Sequence, residues 1–506
     1  MSSVTKNILF NLVGQALILA LGFWGTRLVF HRLGDEALGI LYFTIAIYTA
    51  LTPILDMGVS STLVREVASH LATDKEYVIR LTRTSTLFYC CGYLFLAAGI
   101  WLFAPWLVAH WITLKTLDTG TAVHALRILA SGWVLMLPRS LYANLLRGVE
   151  RMEFNNLIDV GTLALQQAGT ILIVVRGGGL IEIAYCYAAA LLLSILAYVL
   201  VASWFLPWRA FLPGFSGDVV RRNLPFTSRV GAYTLLSVIQ MESDKAILSK
   251  LVAVGPLGFY GLAQTMVARA NRITGAVATA ALPNLSALFN RQDHGGLVKQ
   301  YRKLQDLVCY GMIPVSAGLA FASRPLFTYL LNSEAAELLR WPTILLCVGW
   351  YMNATLIMPA TVSLAVGRAD IGAKQNLYAL LIVTPVTVWL ISEWRLIGAG
   401  LSVVIYHLYA YSYGARRVAS ECLGLRAWVW YFHVTRVLLL ASLTYGVAWL
   451  LTEEAQNSIS VRACAFGLAS LVYLCVTYFF VGSELRSGLS IQKQRLSRAI
   501  LSFGSD

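Results

Sequence analysis

Apolar residues in this chain do not alternate as in a half-buried strand. They gather in long runs separated by short polar connections. A bilayer core needs about 20 apolar residues per helix. Runs of that length lie at about 8–30, 38–58, 84–104, 126–146, 156–175, 181–205, 226–252, 257–282, 303–323, 338–359, 375–392, 396–415, 428–451 and 461–482. Those at 126–146 and 257–282 are interrupted by arginines. The pattern predicts an all-α, polytopic membrane protein with about fourteen spans. Lys6 precedes a first run too long for a cleaved signal peptide, so that run is expected to stay as a helix.

The connections are asymmetric in charge. One alternate set holds Arg65, Lys75, Arg80 and Arg83, then Arg147 and Arg151, then Arg209, Arg221 and Arg222. It continues with Arg291, Lys299, Arg302 and Lys303, then Arg368 and Lys374, then Arg416, Arg417 and Arg426. The other set offers little beyond Arg32, Lys115, Arg176, Arg324, Arg395 and Arg462. Cytoplasmic loops carry the excess of Lys and Arg. Both termini are therefore expected in the cytoplasm, in a multi-pass membrane protein.

Composition adds scale to this picture. Of 506 residues, 58% are hydrophobic and 13% charged, with a net charge of +14. Soluble domains carry about 25% charged residues. The positive excess follows from topology against an anionic leaflet, and no nucleic-acid module is visible. All eight cysteines fall in or beside spans and none has metal-ligand spacing. No P-loop, nucleophile elbow or histidine cluster occurs, so neither enzyme chemistry nor a cofactor is expected.

A weak internal repeat supplies an organisation. ALGILYFTIAIYTA at 37–50 matches PLGFYGLAQTMVAR at 256–269, an offset of 219 residues. Each segment opens the second span of a six-helix half. The expected domains are an N-lobe at 1–205, a cytoplasmic linker at 206–225, a C-lobe at 226–417, two further spans at 418–482, and a cytoplasmic tail at 483–506. Duplicated halves around a midplane site are typical of secondary transporters.

A charge at bilayer depth costs about 2.5–3.5 kcal/mol on insertion scales, so membrane-depth polar groups are the candidate functional ones. Arg269 and Arg272 sit one turn apart near the middle of the eighth span, with Asn271 between them and no acid within a turn. Guanidinium is permanently charged and binds phosphate bidentately, which points to an anionic substrate. Arg27 ends the first span, whose opening turns carry Asn7, Asn11 and Gln15 as one stripe. Tyr42, Thr49, Thr52 and Asp56 share a face of the second span, and both stripes are expected to line one cavity. Arg139, beside Pro138, is a further deep cation, while Arg127 lies nearer an interface. Asp159 lies near a helix end, where solvent or a capping role suits it. Asp244, with Glu242 and Lys245, is either an ion-pair cluster or a proton or sodium site.

Several ordered segments carry a family resemblance. They are NLVGQ at 11–15, RLGDEALGILY at 32–42, DMGVSSTLVREVA at 56–68 and LLRGVERMEFNN at 145–156. DKAILSKLVAVGPLGFYGLA at 244–263 follows, then PNLSALFNRQD at 283–293 with LVKQYRK and an apolar run containing Pro314. Their order and spacing over residues 7–415 resemble the polysaccharide transporter family, the Wzx-type flippases of the multidrug/oligosaccharidyl-lipid/polysaccharide (MOP) exporter superfamily.

The resemblance implies fourteen helices in two six-helix lobes plus two. It implies movement of an undecaprenyl-pyrophosphate-linked sugar unit from the cytoplasmic to the periplasmic leaflet. In the related lipid II flippase, arginines on helices 1 and 8 and in the first cytoplasmic loop are thought to hold pyrophosphate. Arg27, Arg65, and Arg269 or Arg272 occupy comparable places. Asp56 stands where that relative has an acid on helix 2.

The expected activity is thus flipping of a lipid-linked oligosaccharide by alternating access, driven by a proton or sodium gradient. The pyrophosphate and sugar would be held by Arg27, Arg65, Arg139, Arg269, Arg272, Asn271, Asn11 and Gln15. Asp56, Asp244 and Glu242 are the candidate coupling acids. Membrane lipid is a partner, and a polysaccharide polymerase and glycosyltransferases are candidate protein partners. One rival is a multidrug exporter of the same fold, whose cavity should be acidic. Another is a polytopic polymerase or sugar transferase, which usually needs a larger outer loop than any here.

Overall fold

The computed structural model describes residues 20–453 and 459–481. Among them the chain is helical, with no β-strand. Helix α1 is described over residues 20–33. Gly34, at φ 90°, admits the break before α2 (Asp35–Asp56). The chain continues through α3 (Val59–His70), α4 (Lys75–His110), α5 (Thr119–Val134), α6 (Met136–Gly148), α7 (Met152–Val175), α8 (Leu180–Ala202) and α9 (Gly217–Leu251). Then come α10 (Val254–Asn290), α11 (His294–Leu330), α12 (Ser333–Ala365), α13 (Asp370–Ala410), α14 (Ala427–Ala441), α15 (Val447–Glu453) and α16 (Ile459–Phe480).

Ten helical runs among the described residues are long and apolar enough to cross a membrane. One is Thr119–Gly148, a single run interrupted locally at Leu135, just ahead of Pro138. Another is Asp370–Cys422, which reverses at Arg395, with φ 49° and ψ −121°. There a Cβ on Gly398 would collide with the carbonyl of Leu390, eight residues earlier. A straight helix would hold residues eight apart about 12 Å from each other, so the two spans expected at 375–392 and 396–415 are separate antiparallel helices. α9 and α10 have the length to span a bilayer but are not among these ten runs.

The described chain forms two compact units. The first runs to Leu262 and takes in Tyr329–Ala335; the second holds Ala263–Thr328 and the chain from Ala336. In the first unit, Leu63, Tyr77, Leu141, Leu145 and Tyr198 build a core at one end of α3, α4, α6 and α8. In the second, α11, α12, α14 and α16 share a core around Tyr310, Met358, Val437 and Tyr473. Tyr473 donates to the Tyr310 carbonyl at 3.1 Å, so the last helices belong to that core. Phe95, Leu102 and Phe479 are 74–76% exposed. Such surface suits lipid rather than water.

The internal repeat has a physical counterpart. Gly39 and Gly258, which correspond at the 219-residue offset, pack on each other; a Cβ on Gly258 would lie 2.6 Å from Gly39 Cα. Tyr42 packs on Gly261, again its own counterpart. Both contacts lie within the first unit.

Candidate functional site

α10 divides its polar residues between two faces. Gln264, Asn271 and Thr274 are buried. Asn271 Nδ2 donates to Asn353 Oδ1 at 2.8 Å, which ties α10 to α12. Arg269 and Arg272 lie on the opposite, exposed face. Neither makes an ion pair among the described residues. The i, i+3 spacing thus yields a pair of open guanidinium groups, while Asn271 braces the helix behind them.

The first unit treats its arginines differently. Arg27 donates to the Tyr329 carbonyl and lies over that residue's ring at 4.1 Å. Arg65 grips Glu66 at 2.6 Å and stacks on Phe226 at 3.9 Å. Glu66 is buried and collects further partners: the Tyr77 hydroxyl at 2.9 Å, His70 at 3.4 Å and Arg222 at 3.6 Å. One carboxylate therefore faces Arg65, Arg222 and His70, leaving a net positive patch. Burial pushes the Glu66 carboxyl up, but hydrogen bonds from Tyr77 and Arg65 and the charges of Arg65 and Arg222 outweigh it. The group is held below the usual glutamate range. Sequence reasoning found Arg65 but missed this partner set. The readable signal was Arg-Glu with His70 four residues on.

Asp56 closes the turn into α3. It accepts from the Tyr89 and Ser60 hydroxyls and from Gly58 N–H at 3.2 Å. Arg139 is buried and committed: it pairs with Asp159 and donates to Ser194 Oγ at 2.6 Å, and Tyr198 donates to Asp159 at 2.9 Å. Asp159 is therefore an ion-pair partner whose side chain stays 44% exposed, within α7 rather than at a cap; the sequence does not reveal the pair because its members lie on different helices. Arg139 acts here as a brace across α6, α7 and α8. Asn11 and Gln15 lie outside the described residues.

Glu242, Asp244 and Lys245 do not form a simple cluster. Lys245 pairs with Glu242 at 2.5 Å, and Thr49 donates to the same carboxylate at 3.1 Å. Asp244 turns away into the packing. It is 6% exposed, and accepts from the Lys245 N–H at 2.8 Å and the Tyr260 hydroxyl at 3.2 Å. No cation pairs with it among the described residues. The Glu242–Lys245 pair borders a cavity of about 460 Å³ whose walls are otherwise apolar, including Phe43, Ile47, Leu96 and Leu107.

Comparisons with known proteins follow this geometry. A family model described as "Polysaccharide biosynthesis protein" matches residues 30–338, more than half of the chain. A protein of Shigella flexneri, described as a candidate O-antigen transporter, is 22% identical over 402 residues, covering 79% of this chain and 94% of the relative. Among solved structures, the lipid II flippase MurJ in an inward closed conformation matches with a TM-score of 0.71 at 14% identity, covering 93% of this chain and 98% of its own. An inward-facing multidrug resistance MATE family transporter of the MOP superfamily matches with a TM-score of 0.66 at 15% identity, covering 79% and 94%. These two likenesses establish the fold.

Proposed function

Because this chain belongs to the polysaccharide biosynthesis protein family, we propose that it is a flippase for a lipid-linked oligosaccharide, the activity its Wzx-type resemblance implies. The unit would be carried on undecaprenyl pyrophosphate and pass from the cytoplasmic to the periplasmic leaflet by alternating access. A proton or sodium gradient would supply the drive.

The observation that carries this reading is the open pair Arg269 and Arg272. Two guanidinium groups without carboxylate partners, on a helix long enough to span a bilayer, need an anion to offset their charge. A pyrophosphate supplies that anion and accepts bidentate bonds from both. Arg65, half exposed beside the basic patch at the first loop, suits an earlier contact at the cytoplasmic face. Arg139 drops out of the phosphate-binding set, because Asp159 already neutralises it. The relative from Shigella flexneri and the fold shared with MurJ support the same substrate class.

Complementation tests the reading. In a strain lacking its own flippase, wild-type chain should restore surface polysaccharide, and Arg269→Ala/Arg272→Ala should lower it by about 10-fold or more at equal expression. Full restoration by the double variant would overturn the role given to the pair. The rival multidrug activity predicts a different readout, a change in drug susceptibility with surface polysaccharide unaltered.

A further inference from the structure

A second cavity, of about 420 Å³, lies within the second unit between the first turns of α11 and α14. His294 Nε2 and the Leu423 carbonyl, 3.1 Å apart, hold these helix starts together. Lys299, Arg302 and Lys303 line it at i, i+3 and i+4, so three cations face one space. Arg302 and Lys303 form no ion pair among the described residues.

The inner wall is polar and buried. Gln305 is 3% exposed, and its Nε2 donates to the Thr355 carbonyl and to Cys309 Sγ. Its Oε1 is buried with no hydrogen-bond partner. Asp306 also lines the space and lies 3.4 Å from His433. The remaining wall is apolar, and Val429 leads onto the exposed Trp428 and Phe432 of α14. A cationic rim, a buried acceptor and an adjoining lipid-facing apolar strip recur together where membrane proteins hold anionic lipids.

We propose that this cavity is a binding site for an anionic phospholipid of the cytoplasmic leaflet. Its phosphate lies on Arg302 and Lys303. A headgroup hydroxyl donates to Gln305 Oε1, and an acyl chain runs along Val429 and Phe432. The phosphate contact is charge-assisted, and the Gln305 contact satisfies an acceptor that is costly to leave alone. The site lies apart from Arg269 and Arg272 and does not depend on which substrate the chain moves.

The test uses the full chain, purified in detergent and titrated with lipid while thermal unfolding is followed. Phosphatidylglycerol, with its glycerol hydroxyls, should raise the midpoint, and phosphatidylcholine should not. Arg302→Gln/Lys303→Gln should weaken the phosphatidylglycerol response by about 10-fold in concentration. Gln305→Leu should weaken it less. Arg291→Gln, at the same end of the helix pair but outside the cavity, should leave it unchanged. An equal response in wild type and the double variant would overturn the site. So would an equal loss in Arg291→Gln, which would indicate diffuse surface charge. Inorganic phosphate reproducing the full effect would overturn the lipid as occupant.

Discussion

At the scale of single residues, the arginines sort by what neutralises them. Arg139 has Asp159, Arg65 shares Glu66, and Arg269 and Arg272 have no carboxylate among the described residues. The partner of Arg139 lies on another helix and could not be read from sequence, whereas Glu66 is the neighbour of Arg65 within α3 and was open to reading there. Glu66 gives a pH prediction. Its carboxyl is depressed in the folded chain, so it stabilises the fold above the ordinary glutamate value of about 4.3. That contribution is lost as pH falls through the lowered folded value. Glu66→Gln should cost about 1–3 kcal/mol near neutral pH, and the gap in melting temperature from wild type should close below about pH 4. A gap that stays constant down to acid would remove Glu66 from this role. Asp244 gives a second. If this buried carboxylate takes up the coupling ion, Asp244→Asn should fold normally yet lose the acceleration of flipping by an imposed ion gradient in proteoliposomes. Unchanged gradient dependence would assign Asp244 to packing with Tyr260 alone.

Helices were legible where their signal was apolar length, and poorly legible where it was contact. The run at 126–146 falls within the single run Thr119–Gly148, interrupted only locally at Leu135, where Pro138 has no N–H to give the preceding turn. The last helices carry no strong polar face, and their tie to the rest is by packing: Tyr473 and Val437 are built into the second unit's core. The glycines of the two matching segments allow α2 and α10 to touch backbone to backbone. Small residues permit such close approach in membranes. Gly39→Ala would drive a Cβ into the Val254 carbonyl, where rotamer change gives no relief. A loss of about 1–3 kcal/mol is expected, read as a lower melting temperature in detergent. Gly161→Ala, on α7 with open space around it, should be neutral or slightly stabilising. Equal effects of the two substitutions would show that the glycine contact is not a constraint.

At the scale of the whole molecule, one physical variable, the sign and density of charge, decides how the chain sits in its membrane. The first unit has two chemically distinct ends. One gathers Arg65, Arg147, Arg209 and Arg222 around α3, the end of α6 and the start of α9, with Arg209 on Glu76 at 2.7 Å and Arg222 near Glu66. The other is sparse in cations and is organised by a carboxylate instead. Glu36 accepts backbone N–H groups from Lys115, Thr116 and Leu117, and Thr113 accepts from Val254 N–H at 3.2 Å. The excess of Lys and Arg in cytoplasmic loops predicts that the arginine-rich end faces inward. The sequence pattern assigns the connection at 290–293, with Arg291, to the same cation-rich set, so it too is expected inside. In a cysteine-free background, Thr116→Cys should react with a membrane-impermeant maleimide added to intact spheroplasts, and Gln292→Cys only after lysis. Both positions are exposed, so labelling reports sidedness rather than burial. The reverse pattern would invert the chain. The basic patch at α3 and the Arg302–Lys303 cavity would then face the periplasm, away from the leaflet where an undecaprenyl-pyrophosphate substrate is assembled. Direction of transport and sidedness of the lipid site therefore stand or fall on this one measurement.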